Sequence, residues 1–236
     1  MLKRILWIAA GLLVLFFTSC NEQDFSDQKL SCEDSDIKLY NDSLKALSLR
    51  HRTSQIIHLT DSLIGPLNNN QCIEMVEIQC SRALAFEFQF NFEKTIEIYS
   101  NVLPVAQEND FLEQEVFIHL GMARAYEVIS RKEQAFEHLE TAKQLIDKHD
   151  LIHLLSGYHV RYASHLRVFD RDLEKARFHA SRGLELAIEY DNPRPLTDGY
   201  MLLGFLTSDF DESIGYTEKC IEHLYEQGDF VGATFQ

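Results

Sequence analysis

The sequence predicts an all-α chain built as an array of helix pairs. Residues 116–142, VFIHLGMARAYEVISRKEQAFEHLETA, read as two amphipathic helices joined by a short turn, and the pattern returns up and down the chain. The small residues Thr95, Ala135, Ala176 and Ser213 mark its recurrence, at separations of 40, 41 and 37 residues. Only ten glycines and four prolines interrupt 236 residues, which disfavours a turn-rich β fold. A chain with such a period is a solenoid in which each pair buries its apolar face on its neighbours.

In residues 116–142 the first helix carries Val116, Met122, Ala123 and Tyr126 on one stripe. Ser130 followed by Glu133 predicts a capping box at the start of the second helix, whose inner stripe is Ala135, Leu139 and Ala142. Small residues at Ala123 and Ala135 let two antiparallel helices approach closely, and Tyr126 fills the space beside them. Ordered as Ala123, Tyr126, Ala135, Leu139 and Ala142, these residues resemble the tetratricopeptide repeat (TPR). The resemblance implies a right-handed helical-hairpin solenoid whose first helices line a concave groove. Separations of 37 to 41 residues exceed this family's usual period of about 34, and resemble its long-helix, divergent, ligand-sensing members.

Residues 1–19 read as a targeting segment: Lys3 and Arg4, then thirteen unbroken apolar residues over 5–17. That run is short for a membrane span, which needs about 20 residues. Thr18-Ser19-Cys20 resembles the bacterial lipoprotein signal, implying cleavage before Cys20 and lipid on its thiol; Phe17 departs from the usual aliphatic residue. The alternative is an uncleaved signal anchor. Asn21-Glu22-Gln23-Asp24 is similar to the acidic stretch of some Bacteroidetes surface lipoproteins. Residues 20–35 form an acidic, flexible tether. Residues 36–66 are one bent helix or a helix pair, ended by Gly65-Pro66. Residues 72–227 hold about four helix pairs, with Asn91 capping the second helix of the first pair and Pro104 kinking or ending it. Residues 228–236 are the start of an incomplete repeat. Gly228 closes a helix, and the uncharged stub after Asp229 is too short to cover Cys220, Ile221 and Leu224, so further chain or self-association is expected there.

The chain carries a net charge of −15, and −17 once residues 1–19 are removed. Such a surface repels phosphate backbones, so no nucleic-acid partner is expected. With Cys20 lipidated, Cys32, Cys72, Cys80 and Cys220 remain, in an exported chain where oxidation is open to them. Cys72 and Cys80 on one helix lie about 12 Å apart, too far to bridge, and Cys80 and Cys220 read as small packing residues. His149 and His153 flank a turn, where His149 caps a helix C-terminus rather than ligating metal. His159 and His165 point to different faces. There is no Gly-rich phosphate loop and no Gly-x-Ser-x-Gly elbow. No enzyme, cofactor or metal is expected.

Carried over position by position, the resemblance places Glu77, Leu84 and Phe88 on the groove in the first pair, and Phe117, Leu120, Arg124 and Glu127 in the second. The third contributes Tyr158, Arg161 and His165, and the fourth Asp198, Leu202 and Phe205. Tyr158 and Arg161, an aromatic face and a guanidinium one turn apart, suit an extended peptide or a carboxylate end; the alternative is that they pack on the neighbouring repeat. The expected function is a lipid-anchored, non-enzymatic scaffold in the cell envelope, facing periplasm or cell surface, that binds a peptide or protein. The alternative is the extracytoplasmic sensory part of a longer signalling protein, a transcription regulator or histidine kinase.

Overall fold

The computed structural model describes residues 35–50, 52–67 and 71–228. The targeting segment, Cys20, nearly all of the tether and the C-terminal stub lie outside them. The described residues form ten α-helices. An N-terminal pair, α1 (Ser35–Leu49) and α2 (Thr53–Leu67), precedes four more. The first is α3 (Ile73–Phe88) and α4 (Phe92–Glu108), the second α5 (Leu112–Val128) and α6 (Lys132–His149). The third is α7 (Leu155–His165), led in by a 3₁₀ turn (Ile152–Leu154), and α8 (Leu173–Glu189). The fourth is α9 (Pro193–Leu206) and α10 (Phe210–Glu226).

Six successive turns, from α3–α4 to α8–α9, share one geometry. Phe90, Asp110, Ser130, Asp150, Arg171 and Asp191 all have φ between 50° and 61°, and they follow one another at 20 or 21 residues. After five of them the next N–H reaches back to a helix carbonyl: Asn91 to Phe86, Phe111 to Ala106, Arg131 to Tyr126, Leu151 to Ile146 and Asn192 to Ala187, at 2.8–3.0 Å. This is the left-handed helix stop that glycine usually makes. Here it is made without glycine, at about 1–2 kcal/mol per residue, least for aspartate.

That geometry overturns the capping box. Ser130 is the left-handed turn residue, α6 begins at Lys132, and its N-cap Arg131 makes no side-chain cap. Asn91 does cap α4, accepting from Lys94 N at 3.2 Å. Pro104 neither ends nor interrupts α4, which runs on to Glu108. Pro104 and Ser100, four residues before it, are both exposed, so water can take the carbonyl that proline leaves unbonded. Residues 36–66 are a pair rather than a bent helix, and α2 runs through Gly65 and Pro66 before ending.

Each pair closes on a seam of small residues. Ala83, Thr95, Ala123, Ala135, Ala163 and Ala176 are at most 3% exposed. Thr95 Oγ1 donates to Ala83 O across the seam at 3.2 Å, and Ser213 Oγ donates to Gly204 O at 3.0 Å. The second helix of each pair packs on the first helix of the next, and the first helices also touch one another, which makes them the inner layer. In the stripe expected to lack a cover, Cys220 and Leu224 are buried against Tyr200 and Met201 of the same pair, and Ile221 is only partly buried. The superhelix brings its ends together, with Arg50 Nε donating to Gln227 O at 3.4 Å.

Candidate functional site

Four inner helices carry a charged ladder. Glu87 on α3, Arg124 on α5, Arg161 on α7 and Asp198 on α9 succeed one another at 37 residues. Seam positions in the second helices recur at 40, 41 and 37, so the first two ladder steps run three or four residues, about one helical turn, short of the seam and the last keeps pace with it. Glu87 is almost wholly buried; its Oε1 lies 2.7 Å from Arg124 Nε and 3.1 Å from Arg194 Nη2, 107 residues away. Arg161 Nη2 lies 2.7 Å from Asp198 Oδ2. Ser164 Oγ donates to Glu127 Oε1 at 2.6 Å, again 37 residues on. Arg194 also covers the Phe88 ring at 5.2 Å.

Burial works against the charge on Arg124, but Glu87, Asp198 and Glu127 outweigh it and hold the guanidinium above its ordinary value. Burial, with Arg124 and Arg194 adding to it, draws Arg161 below. Burial raises Glu127. Glu87, Glu127 and Asp198 face Arg124, Arg161 and Arg194, so these six groups balance to zero in a chain of −15.

Beside the ladder lies a cavity of about 120 Å³, reached from the groove. Its walls are mainly apolar, from Leu84, Val116, Phe117, Leu120 and Pro195 among others. Gly121 is there because of Tyr99: a Cβ would stand 2.5 Å from that ring.

Of the positions expected on the groove, Leu84, Phe117, Leu120, Arg161 and Asp198 line this cavity, and Arg124 and Glu127 belong to the ladder beside it. Tyr158 does not face the groove. It is 6% exposed, packed with Val116, Ala123, Leu139, Ala142 and Ile146 and stacked on Tyr162. Tyr158 and Arg161 therefore do not make a joint aromatic–guanidinium surface: one is core, the other an ion pair. His165 is 1% exposed, set against Phe136 and Phe169 where α7 loosens into a π-helical turn, Leu166–Asp170. The sequence reading missed Glu87 and Arg194, the residues that join the first pair to the fourth. Glu87 had a signal, the 37-residue step from Arg124, Arg161 and Asp198. Arg194 had none.

Away from the groove, two histidine pairs occupy one register of successive repeats. His119 and His138 face each other with Nδ1 atoms 2.8 Å apart, and so do His159 and His179. Burial first, then the partner imidazole, holds His119 and His159 down to about 4. Cys80 and Cys220 are free, buried thiols, whereas Cys72 is disulfide-bonded. His153 pairs with Glu113 at 3.3 Å.

No protein-family model and no curated protein matches the sequence. Solved structures do match the fold. The apo form of RapI aligns with a TM-score of 0.63 and 11% identity over 96% of this chain and 85% of its own. PlcR of Bacillus thuringiensis, solved with the peptide PapR7 and DNA, gives 0.65 and 12% over 87% of this chain and 74% of its own. The TPR-like repeats of a putative kinesin light chain from Podosopora anserina give 0.51 and 12% over 86% and 97%. At this level of identity the likeness is one of fold, and the fold is that of TPR-like helical-repeat proteins.

Proposed function

We propose that this protein is a non-enzymatic TPR-like scaffold that binds a peptide or protein in its concave groove, and that lipid on Cys20 holds it in the cell envelope. The observation that carries the binding reading is the charged ladder with its apolar cavity: a buried, neutral, inward-facing layer that one strand of peptide can span from pair to pair. PlcR, similar in fold and solved with a peptide, supports it.

Selection of a random peptide display library on the full-length protein tests the groove. We expect enriched sequences that Arg161→Lys binds much more weakly, because lysine keeps the charge beside Asp198 and loses the fork. No enrichment over a denatured control, or equal enrichment by the variant, removes the reading. Labelling with a radioactive fatty acid tests the anchor: the label should appear and vanish in Cys20→Ala, and equal labelling of both forms refutes it.

One observation favours the second reading, a sensory part of a longer signalling protein: PlcR was solved with DNA as well as a peptide, and this chain spans 74% of it. A DNA-binding or kinase segment encoded beyond Gln236 selects that reading.

A further inference from the structure

The cavity beside the ladder has the size, charge and unmet hydrogen bonds of a specific subsite. Its volume, about 120 Å³, is that of one ring or branched side chain; an apolar cavity of about 150 Å³ is enough for benzene. Its charged lining residues are already answered: Glu87 by Arg124 and Arg194, Arg161 by Asp198. A ligand carboxylate would have to displace an internal one, and a ligand cation would sit near three guanidinium groups. A neutral occupant is favoured.

Two lining residues carry buried polar atoms without a partner, Glu87 Oε2 and Tyr99 Oη. Such atoms are costly in a folded protein. Burial, then the neighbouring Cys80 and Glu87, raises Tyr99 well above the usual tyrosine range, so its hydroxyl keeps its proton. One orphan is thus an acceptor and the other a donor. A hydroxyl is a small neutral group that serves both, donating to the carboxylate and accepting from the phenol.

We propose that this cavity is an anchor subsite for a neutral ring bearing a hydroxyl: the side chain of a tyrosine in a bound peptide, or a free small phenol. The assignment deepens the peptide reading in its first form and stands without it in its second. It departs from the expectation of a carboxylate-binding end.

The test measures p-cresol, toluene and benzoate on the full-length protein by ligand-observed NMR titration. p-Cresol should bind at least tenfold more tightly than toluene, and benzoate least. Tyr99→Phe should remove most of the p-cresol advantage and leave toluene unchanged. Gly157→Val places branched carbon on the cavity wall, where a Cβ already meets Leu120 Cδ1 at 3.2 Å, and should weaken both; circular dichroism shows whether it folds, and Tyr99→Phe decides if it does not. Acetyl-Gly-Tyr-Gly-amide tighter than p-cresol, with the phenylalanine analogue weaker, identifies a peptide source; p-cresol the tighter identifies a free phenol. Equal binding of p-cresol and toluene, preference for benzoate, or no binding of any probe overturns the proposal and leaves a cavity that holds water. Peptides selected from the library alongside those negative results would leave the groove reading intact; p-cresol binding without any selected peptide would remove the groove reading and leave the subsite.

Discussion

The seam inside each helix pair and the ladder between pairs hold the molecule by opposite means. A seam is built of small residues and is local: Ala123 and Ala135 are buried on the two helices of one pair, and Thr95 reaches Ala83 only 12 residues away. The ladder is charged and distant, its steps 37 residues long and its longest tie, Glu87 to Arg194, 107. Seams set how closely two helices lie. The ladder sets how far the superhelix turns, because its groups meet only when four pairs stand in register. A change at a seam is therefore felt within a pair, and one in the ladder reaches across the groove.

The largest effect is expected from breaking the ladder at its hub. Glu87→Ala leaves Arg124 and Arg194 facing each other without their carboxylate. Removing one partner of a buried ion pair costs about 3–5 kcal/mol. The low end applies, because the two arginines keep 30% and 26% of their side-chain surface in solvent. Urea unfolding of the variant should show a loss of about 3 kcal/mol, and small-angle scattering a wider superhelix. A loss under about 1 kcal/mol, the scale of an exposed pair, would mean that the ladder is decoration.

Acid is expected to act on the histidine pairs, which belong to neither system. His119 is held down to about 4 from an ordinary 6.5. Between those values the unfolded chain takes up a proton that the folded chain refuses, so stability falls as pH drops below about 6.5 and levels off below about 4. The difference amounts to about 3 kcal/mol for His119; His159, half-exposed, adds less. Glu115, 3.9 Å from His119 Nε2, and Glu137, beside His138, pull the other way. Around the second pair Lys143, Lys175 and Arg182 all oppose protonation. Melting at pH 7, 5.5 and 4 should trace this slope, flattened in His119→Gln. An unchanged slope in the variant would place the acid sensitivity elsewhere.

The seams were legible in the sequence and the ladder only partly, for a physical reason. Ala135, Leu139 and Ala142 lie three and four residues apart on one helix, so local spacing alone points them inward. Tyr158 has the same local credentials for a groove position, yet it faces the core: Gly157 and Arg161, four residues apart, line the cavity, and Tyr158 stands about 100° round the helix from Gly157. Arg194 sits in an Asn-Pro-Arg-Pro stretch that reads as a helix start. Nothing within its own helix marks its tie to Glu87, because the turn of the superhelix makes that contact. The left-handed turn at Ser130 was hidden for a different reason: serine and glutamate three apart spell a cap, and only the common 20-residue turn geometry shows it occupied otherwise.

Within the seams, overpacking should cost less than breaking the hub. Ala135 is fully buried, and Ala135→Leu forces extra carbons between closed helices at roughly 1–3 kcal/mol. Gly183→Ala tests the same seam rule in the third pair, where a Cβ would stand 2.8 Å from Val160 Cγ2 and 3.1 Å from Ser156 O. Both should lower the melting temperature without widening the superhelix. A change in scattering profile comparable to that of Glu87→Ala would erase the distinction between the two systems.

The smallest effect has the opposite sign. Gly215 lies inside α10, and a Cβ there would meet nothing within 4 Å. Glycine in a helix interior loses more backbone freedom on folding than alanine does, so Gly215→Ala should stabilise by about 0.5–1 kcal/mol. The same chemical change is thus predicted to help in the fourth pair and to harm in the third, because Gly183 stands at a seam and Gly215 in open space. Measuring both variants in one urea series cancels errors common to the method. If Gly215→Ala destabilises, the space beside it is filled by chain or a partner outside the described residues, which would reopen the question of what covers this end of the solenoid.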